Sequence, residues 1–167
     1  MAIEALAVLR ERYNARLTII GRIFDGAYLQ RCIARSTELG LENFVTFTGS
    51  LSQREISEHF SRGRIGVHTA LEGATRSSGS LLSMFAHGLP VIALKTDHDD
   101  VEFNDLLKQS DADAHSLAHA IGGMLEDSAG SEALGRRASQ RYGAAFDWRA
   151  ITSAAVPQLV TKPFGLQ

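Results

Sequence analysis

The sequence has little of what would commit it to disulfide, membrane or nucleic-acid chemistry. One cysteine, Cys32, stands among 167 residues. A single thiol excludes an intrachain disulfide and points to a reducing, cytoplasmic setting. Its place in an amphipathic segment suits a small buried apolar residue better than a nucleophile. No run is long and apolar enough to cross a bilayer. The opening Met1-Ala2-Ile3-Glu4-Ala5 shows no basic stretch leading into an apolar one, so it does not read as a signal peptide. Charge of one sign is missing too: 17 Lys and Arg are intermixed with 19 Asp and Glu, for a net charge of −2. That leaves no electrostatic footprint for nucleic acid or an anionic membrane surface. There is no P-loop lysine motif, no Gly-x-Ser-x-Gly elbow, no HExxH and no CxxC.

What is present suits one globular domain. The length fits a single domain, and 44% hydrophobic with 22% charged residues is ordinary for one. A unit over residues 1–160 with a tail over 161–167 is expected. Leu6, Leu9 and Tyr13 share a helical face, which predicts a helix over residues 2–13. The β-branched run Leu17-Thr18-Ile19-Ile20, ended by Gly21, predicts a strand. A helix over 25–39 follows, with Leu29, Ile33 and Ser36 inward and Gly40 as its stop. A strand is expected over 44–48, then a helix opened by a capping box of Ser52 and Glu55 and ending near Gly63. Further strands are expected over 65–69, 90–94 and 105–108, and helices over 81–87, 114–126, 131–142 and 148–156. Short apolar strands alternating with helices predict an α/β fold, with a parallel sheet covered on both faces.

In such a sheet ligands gather beyond the carboxyl ends of the strands. The richest of these loops is Leu71-Glu72-Gly73-Ala74-Thr75-Arg76-Ser77-Ser78-Gly79-Ser80. It offers four hydroxyls, glycines that admit close backbone approach, and the Arg76 guanidinium. It runs directly into a helix whose free N–H groups favour a phosphate. The alternative is a polar loop that only caps a helix. Glu72 is better suited to sugar hydroxyls than to phosphate; the alternative is an exposed loop glutamate with no ligand. His87 is expected to bond the last carbonyls of its helix. Asp97, His98, Asp99 and Asp100 read as a solvated loop rather than a metal site, because four consecutive residues rarely converge on one ion.

Ala86-His87-Gly88-Leu89-Pro90-Val91-Ile92 resembles the A-x-G-x-P-V-[IV] segment of the retaining GT-B glycosyltransferases known as glycosyl transferases group 1. Leu17 to Gly21 resembles that family's L-x-I-x-G strand, Val45 to Gly49 its V-x-F-x-G strand, and Phe146-Asp147-Trp148 the opening of its last helix. The resemblance implies the carboxyl-terminal, donor-binding half of such an enzyme, with a Rossmann-like three-layer fold. It implies a UDP- or GDP-sugar donor, its base near Gly49, Ser50 and Leu51, with Gly21 also at the donor site. The diphosphate would meet Arg76, Ser78, Gly79, Ser80 and Leu81, and Glu72 would lie near the donor sugar. No metal or other cofactor is implied, since protein groups would balance the leaving diphosphate. The second glutamate of the family pattern, near the ribose, is Ser83 here, so Ser83 would stand at the donor site without the family's carboxylate. The family's first strand, central in the 3-2-1-4-5-6 order, has no counterpart in these residues, nor do its Arg and Lys or the acceptor domain. Neighbouring strands pairing across the gap, or a strand from another chain such as a homodimer mate, would close such a sheet. The full-length enzyme would work in the cytoplasm or at the inner membrane face. A non-catalytic assembly module and a GT-B sugar-nucleotide epimerase are the alternatives.

Overall fold

The computed structural model describes residues 1–153. Eleven elements alternate along the chain: α1 (Ala2–Arg10), β1 (Leu17–Ile20), α2 (Gly26–Glu38), β2 (Val45–Gly49), α3 (Gln53–Arg62), β3 (Gly66–His68), α4 (Gly79–Ala86), β4 (Val91–Leu94), β5 (Lys108–Ser110), α5 (Ala114–Glu126) and α6 (Ser128–Ala145). Residues 148–153 are helical. The last residues of the helix expected over 148–156, and the expected domain boundary at residue 160, lie outside the described residues.

Local chemistry sets most of these boundaries. Asp25, Ser52, Asp113 and Asp127 each accept a backbone N–H in the first turn of the helix they precede. Such caps replace bonds that a helix start cannot make internally. At Ser52 the full capping box with Glu55 is formed. Helix α4 ends where Gly88 takes φ +66°. The Gly88 N–H bonds Phe85 and the Leu89 N–H reaches back to Met84, the reciprocal pattern that a left-handed glycine allows.

All strand pairs are parallel, but the sheet is in two pieces. β1 pairs with β2, and β3–β4–β5 form a second piece centred on β4. Among the described residues no backbone hydrogen bond joins β1 to β3. Of the two closures expected from sequence, direct pairing across the gap does not occur. Helix α1 spans the break instead. Its Ile3 and Leu6 pack with Leu41, Val45, Leu17 and Ile19, while Ala5 and Leu9 pack with Ile92, Leu117 and Val67. Burying Ile3, Leu6 and Leu9 contributes roughly 1.5–3 kcal/mol each, an upper range because unfolded chains already bury some surface.

Covering on both faces holds for the larger piece. Val91, Ile92, Ala93 and Leu94 are all buried. Val91 and Ala93 meet α4 and α6 on one side, and Ile92 meets α1 and α5 on the other. In the smaller piece Thr18 and Thr46 are exposed, so that face is open.

Several expected positions differ. Helix α1 ends at Arg10, yet Tyr13 still packs inward and its hydroxyl donates to Glu126 at 2.5 Å. In α2, Ile33 is exposed, and the inward face is Leu29, Cys32, Ser36 and Leu39. Cys32 packs at the edge of the α1–β2 cluster, as a small apolar residue would. The fifth strand is Lys108–Ser110 rather than 105–108, because Leu106 and Leu107 are drawn into the core before pairing begins. Helix α6 starts at Ser128, where Asp127 caps it, and runs on to Ala145.

Candidate functional site

The carboxyl ends of β3 and β4 carry the site. After β3 the chain enters loop 69–78, and after β4 it enters loop 95–100. The two loops are tied together. The Asp99 carboxylate accepts the Ala74 N–H at 2.8 Å, the Thr96 N–H at 3.1 Å, the Thr96 hydroxyl at 2.9 Å and the Gln109 amide at 3.2 Å. Asp100 accepts the Arg76 N–H at 2.7 Å, and its own N–H donates to Ala74 O. From beneath, the buried His68 ring nitrogen lies 3.2 Å from Gly73 O and 3.4 Å from the Ser78 hydroxyl. Burial works to raise the Asp99 carboxyl. The Ala74 and Thr96 hydrogen bonds outweigh it, with a smaller contribution from His68, and hold its pKa below the usual carboxylate value.

Gly73 is the pivot of this arrangement. Its φ is +82°, and a Cβ there would overlap Thr96 Oγ1 and lie 2.7 Å from Asp99 Oδ1. Glycine alone satisfies both demands. The folded loop borders an open cavity of about 170 Å3 lined by Ala70, Glu72, Gly73, Thr75, Ser77 and Ser78. That is room for a group the size of a phosphate or a sugar ring.

The sequence-derived residues separate into groups. Glu72 and Ser78 line the cavity. Gly79, Ser80 and Leu81 form the first turn of α4, and Ser83 stands in its second turn. The Leu81 side chain is fully buried in the core, so only its backbone could meet a ligand. Arg76 is exposed and does not line the cavity. Its guanidinium pairs with Glu102, which also accepts Arg141 at 3.2 Å. Gly21, Gly49, Ser50 and Leu51 lie at the ends of β1 and β2, where Gly21 N–H meets Gly49 O at 3.3 Å; they do not line this cavity. His87 is structural. Its Nδ1 donates to Ser83 O at 2.8 Å, Nε2 faces the Ser57 hydroxyl at 2.9 Å, and the ring packs edge-on to Phe60.

Sequence reasoning missed Asp99 and Asp100 as the fastening of this loop. The run Asp97-His98-Asp99-Asp100 is conspicuous, but nothing in it marks which members turn inward. Among the described residues no three His, Cys, Asp or Glu side chains gather as a metal site. A larger cavity of about 360 Å3 lies at the opposite end, near Arg64, Ile65, Pro90 and Arg136. It sits at the amino ends of β3 and β4, away from where ligands of parallel sheets bind.

Comparison with known proteins places this architecture. The model of the family described as glycosyl transferases group 1 matches residues 1–127. The chain belongs to that family. No match was found among curated proteins. Among solved structures, Anabaena HepE, described in complex with UDP and glucose, superposes with a TM-score of 0.80 at 20% identity, covering 96% of this chain and 44% of that one. A Rickettsia africae glycosyltransferase gives 0.82 at 16%, covering 97% and 44%. The C-terminal domain of a glycosyl transferase group 1 protein from Francisella tularensis gives 0.74 at 17%, covering 87% and 77%. The chain therefore spans less than half the length of the first two. Its fold is the Rossmann-like C-terminal half of GT-B glycosyltransferases, and among the described residues no helix is long and apolar enough to cross a membrane.

Proposed function

We propose that this chain is the donor-binding half of a retaining glycosyltransferase that takes a UDP- or GDP-sugar and serves a glycan or lipid-linked acceptor. The observation that carries this reading is the cavity at Glu72 and Ser78 opening beside the start of α4. Helices α2, α3, α5 and α6 are each capped by a side chain, whereas α4, like α1, is not, and Ser78 makes no such bond. Among the described residues the first N–H groups of α4 thus have no side-chain partner, which leaves them to an anion that the helix dipole favours. Glu72, at the same cavity, would accept hydrogen bonds from sugar hydroxyls. Backbone groups would balance the diphosphate charge as it leaves, with no metal required. HepE, described with UDP-glucose, supports the choice of a nucleotide sugar. The acceptor side of the reaction would be supplied by a further domain.

Calorimetric titration of the full chain with UDP, GDP and their glucose and mannose conjugates tests this. Binding in the micromolar to millimolar range is expected for one nucleotide series. Absence of heat from all of them at millimolar ligand would remove donor binding from this chain.

A second reading is favoured by the inner edges of β1 and β3, which are unpaired among the described residues. Open edges template pairing with another chain, so the fold could serve as an assembly module. An obligate dimer by light scattering, without nucleotide affinity, would support it over the first.

A further inference from the structure

We propose that Asp99 is the positioning residue of the donor site: with Thr96, it sets the backbone at Gly73 and Ala74 and thereby anchors the stretch from which Glu72 lines the cavity. The sugar-contacting role of Glu72 rests on the donor-binding reading above; the fastening itself does not.

The geometry is over-determined in the way a positioning device requires. Asp99 accepts four hydrogen bonds, one from Ala74, two from Thr96 and one from Gln109. One oxygen, Oδ1, takes both the Ala74 N–H and the Thr96 hydroxyl, joining the Glu72 loop to the loop after β4 through a single atom. The Gly73 backbone, immediately after Glu72, is pressed against that pair closely enough that no Cβ fits. His68 holds the Gly73 carbonyl from the sheet side. The Glu72 side chain is exposed and makes no hydrogen bond among the described residues. The point from which it reaches the cavity is therefore set by the peptide that follows it. An ionised carboxylate, acceptor-only, matches the two backbone donors. An asparagine would turn an NH2 group toward an N–H on one side.

The test uses the full chain and separates a positioning role from a general loss of fold. Wild type, Asp99→Asn, Thr96→Ser and Glu72→Gln are titrated with the nucleoside diphosphate and with the matching sugar nucleotide. In Asp99→Asn the extra affinity conferred by the sugar should fall by on the order of tenfold, while affinity for the bare diphosphate changes less than about twofold. Thr96→Ser keeps the hydroxyl and should behave as wild type. In a Glu72→Gln background Asp99→Asn should cost nothing further, because it acts through Glu72. Additive losses, or equal losses on both ligands, would overturn the proposal. An independent readout needs no ligand: the Ala74 and Thr96 amide protons, bonded to a carboxylate, should shift upfield in Asp99→Asn while the Gly123 amide stays in place. Unmoved Ala74 and Thr96 amides would refute the fastening. A failure of every donor titration alongside the expected amide shifts would refute the donor reading and the role given to Glu72, and leave the fastening standing.

Discussion

Two glycines of one helix should respond to the same substitution with opposite sign. In an open helix interior Gly→Ala stabilises by about 1 kcal/mol, because alanine loses less backbone entropy. Gly143, near the end of α6, has nothing among the described residues within 4 Å of the place an alanine methyl would take, so Gly143→Ala should gain up to that amount. Gly135, in the middle of the same helix, is buried against the turn that links α4 to β4. A Cβ there would overlap the Gly88 carbonyl oxygen and lie 3.0 Å from its carbon and 3.1 Å from Pro90 N. All three are backbone atoms, so no side chain can rotate away. Overpacking of this kind costs roughly 3 kcal/mol, and subtracting the helix gain leaves a net loss of about 2 kcal/mol. For a chain of this size that lowers Tm by roughly 4–8 °C, against a rise of about 2–4 °C for Gly143→Ala. Calorimetric melting of both variants measures it, with urea unfolding as a second determination. If Gly135→Ala were neutral or stabilising, the close seating of α6 on the Gly88–Pro90 turn would be wrong.

Three further outcomes are expected. Gly73→Ala combines a left-handed φ with the overlap at Thr96 and should destabilise by about 2–4 kcal/mol, measured by urea unfolding; a cost under about 0.5 kcal/mol would count against the tight fastening of the Glu72 loop. Glu102→Gln removes the shared partner of Arg76 and Arg141; it should lower stability by about 1–2 kcal/mol and, on the donor reading, strengthen diphosphate binding by releasing Arg76, whereas unchanged or weaker affinity would deny Arg76 a phosphate role. Asp99, Glu55 and Asp113 all have depressed folded pKa values: burial opposes the shift at Asp99 and the hydrogen bonds prevail, while Ser52 and Ser116 lower Glu55 and Asp113. Their contribution to stability is then fully present above the unfolded carboxylate range and is lost as pH falls through the lower folded values. Unfolding midpoints should therefore drop from about pH 4 downward, less steeply in Asp99→Asn; identical pH profiles would exclude Asp99 as a contributor.

Periodicity and caps made most of the elements legible in the sequence. Ser52 with Glu55, Gly88 before Leu89-Pro90, and the β-branched run at Leu17 each announce a boundary through chemistry confined to a few residues. What stayed hidden depends on partners far along the chain. Ile33 and Cys32 are neighbours in sequence, and only the placement of α1 decides which turns inward. The start of β5 depends on the core drawing in Leu106 and Leu107. In the site, Glu72 and the glycine-rich loop were readable as chemistry. The pairing of Arg76 with Glu102, 26 residues away, and the bond from Asp99 to Ala74, 25 residues away, were not, because no local pattern encodes contact between successive strand ends.

The break between β1 and β3 has a mechanical meaning. The loops at Gly49 and Glu72, which the donor reading assigns to base and sugar, are carried by separate sheet pieces that pack together through the side chains of the nine-residue helix α1. Side-chain contacts yield to shear more readily than a ladder of backbone bonds, so the two loops can slide past each other without breaking either piece. A ligand touching both would act as a rivet. Its binding would stiffen β1 and β3 together, and amide exchange in the two strands would slow in concert although, among the described residues, no backbone hydrogen bond connects them.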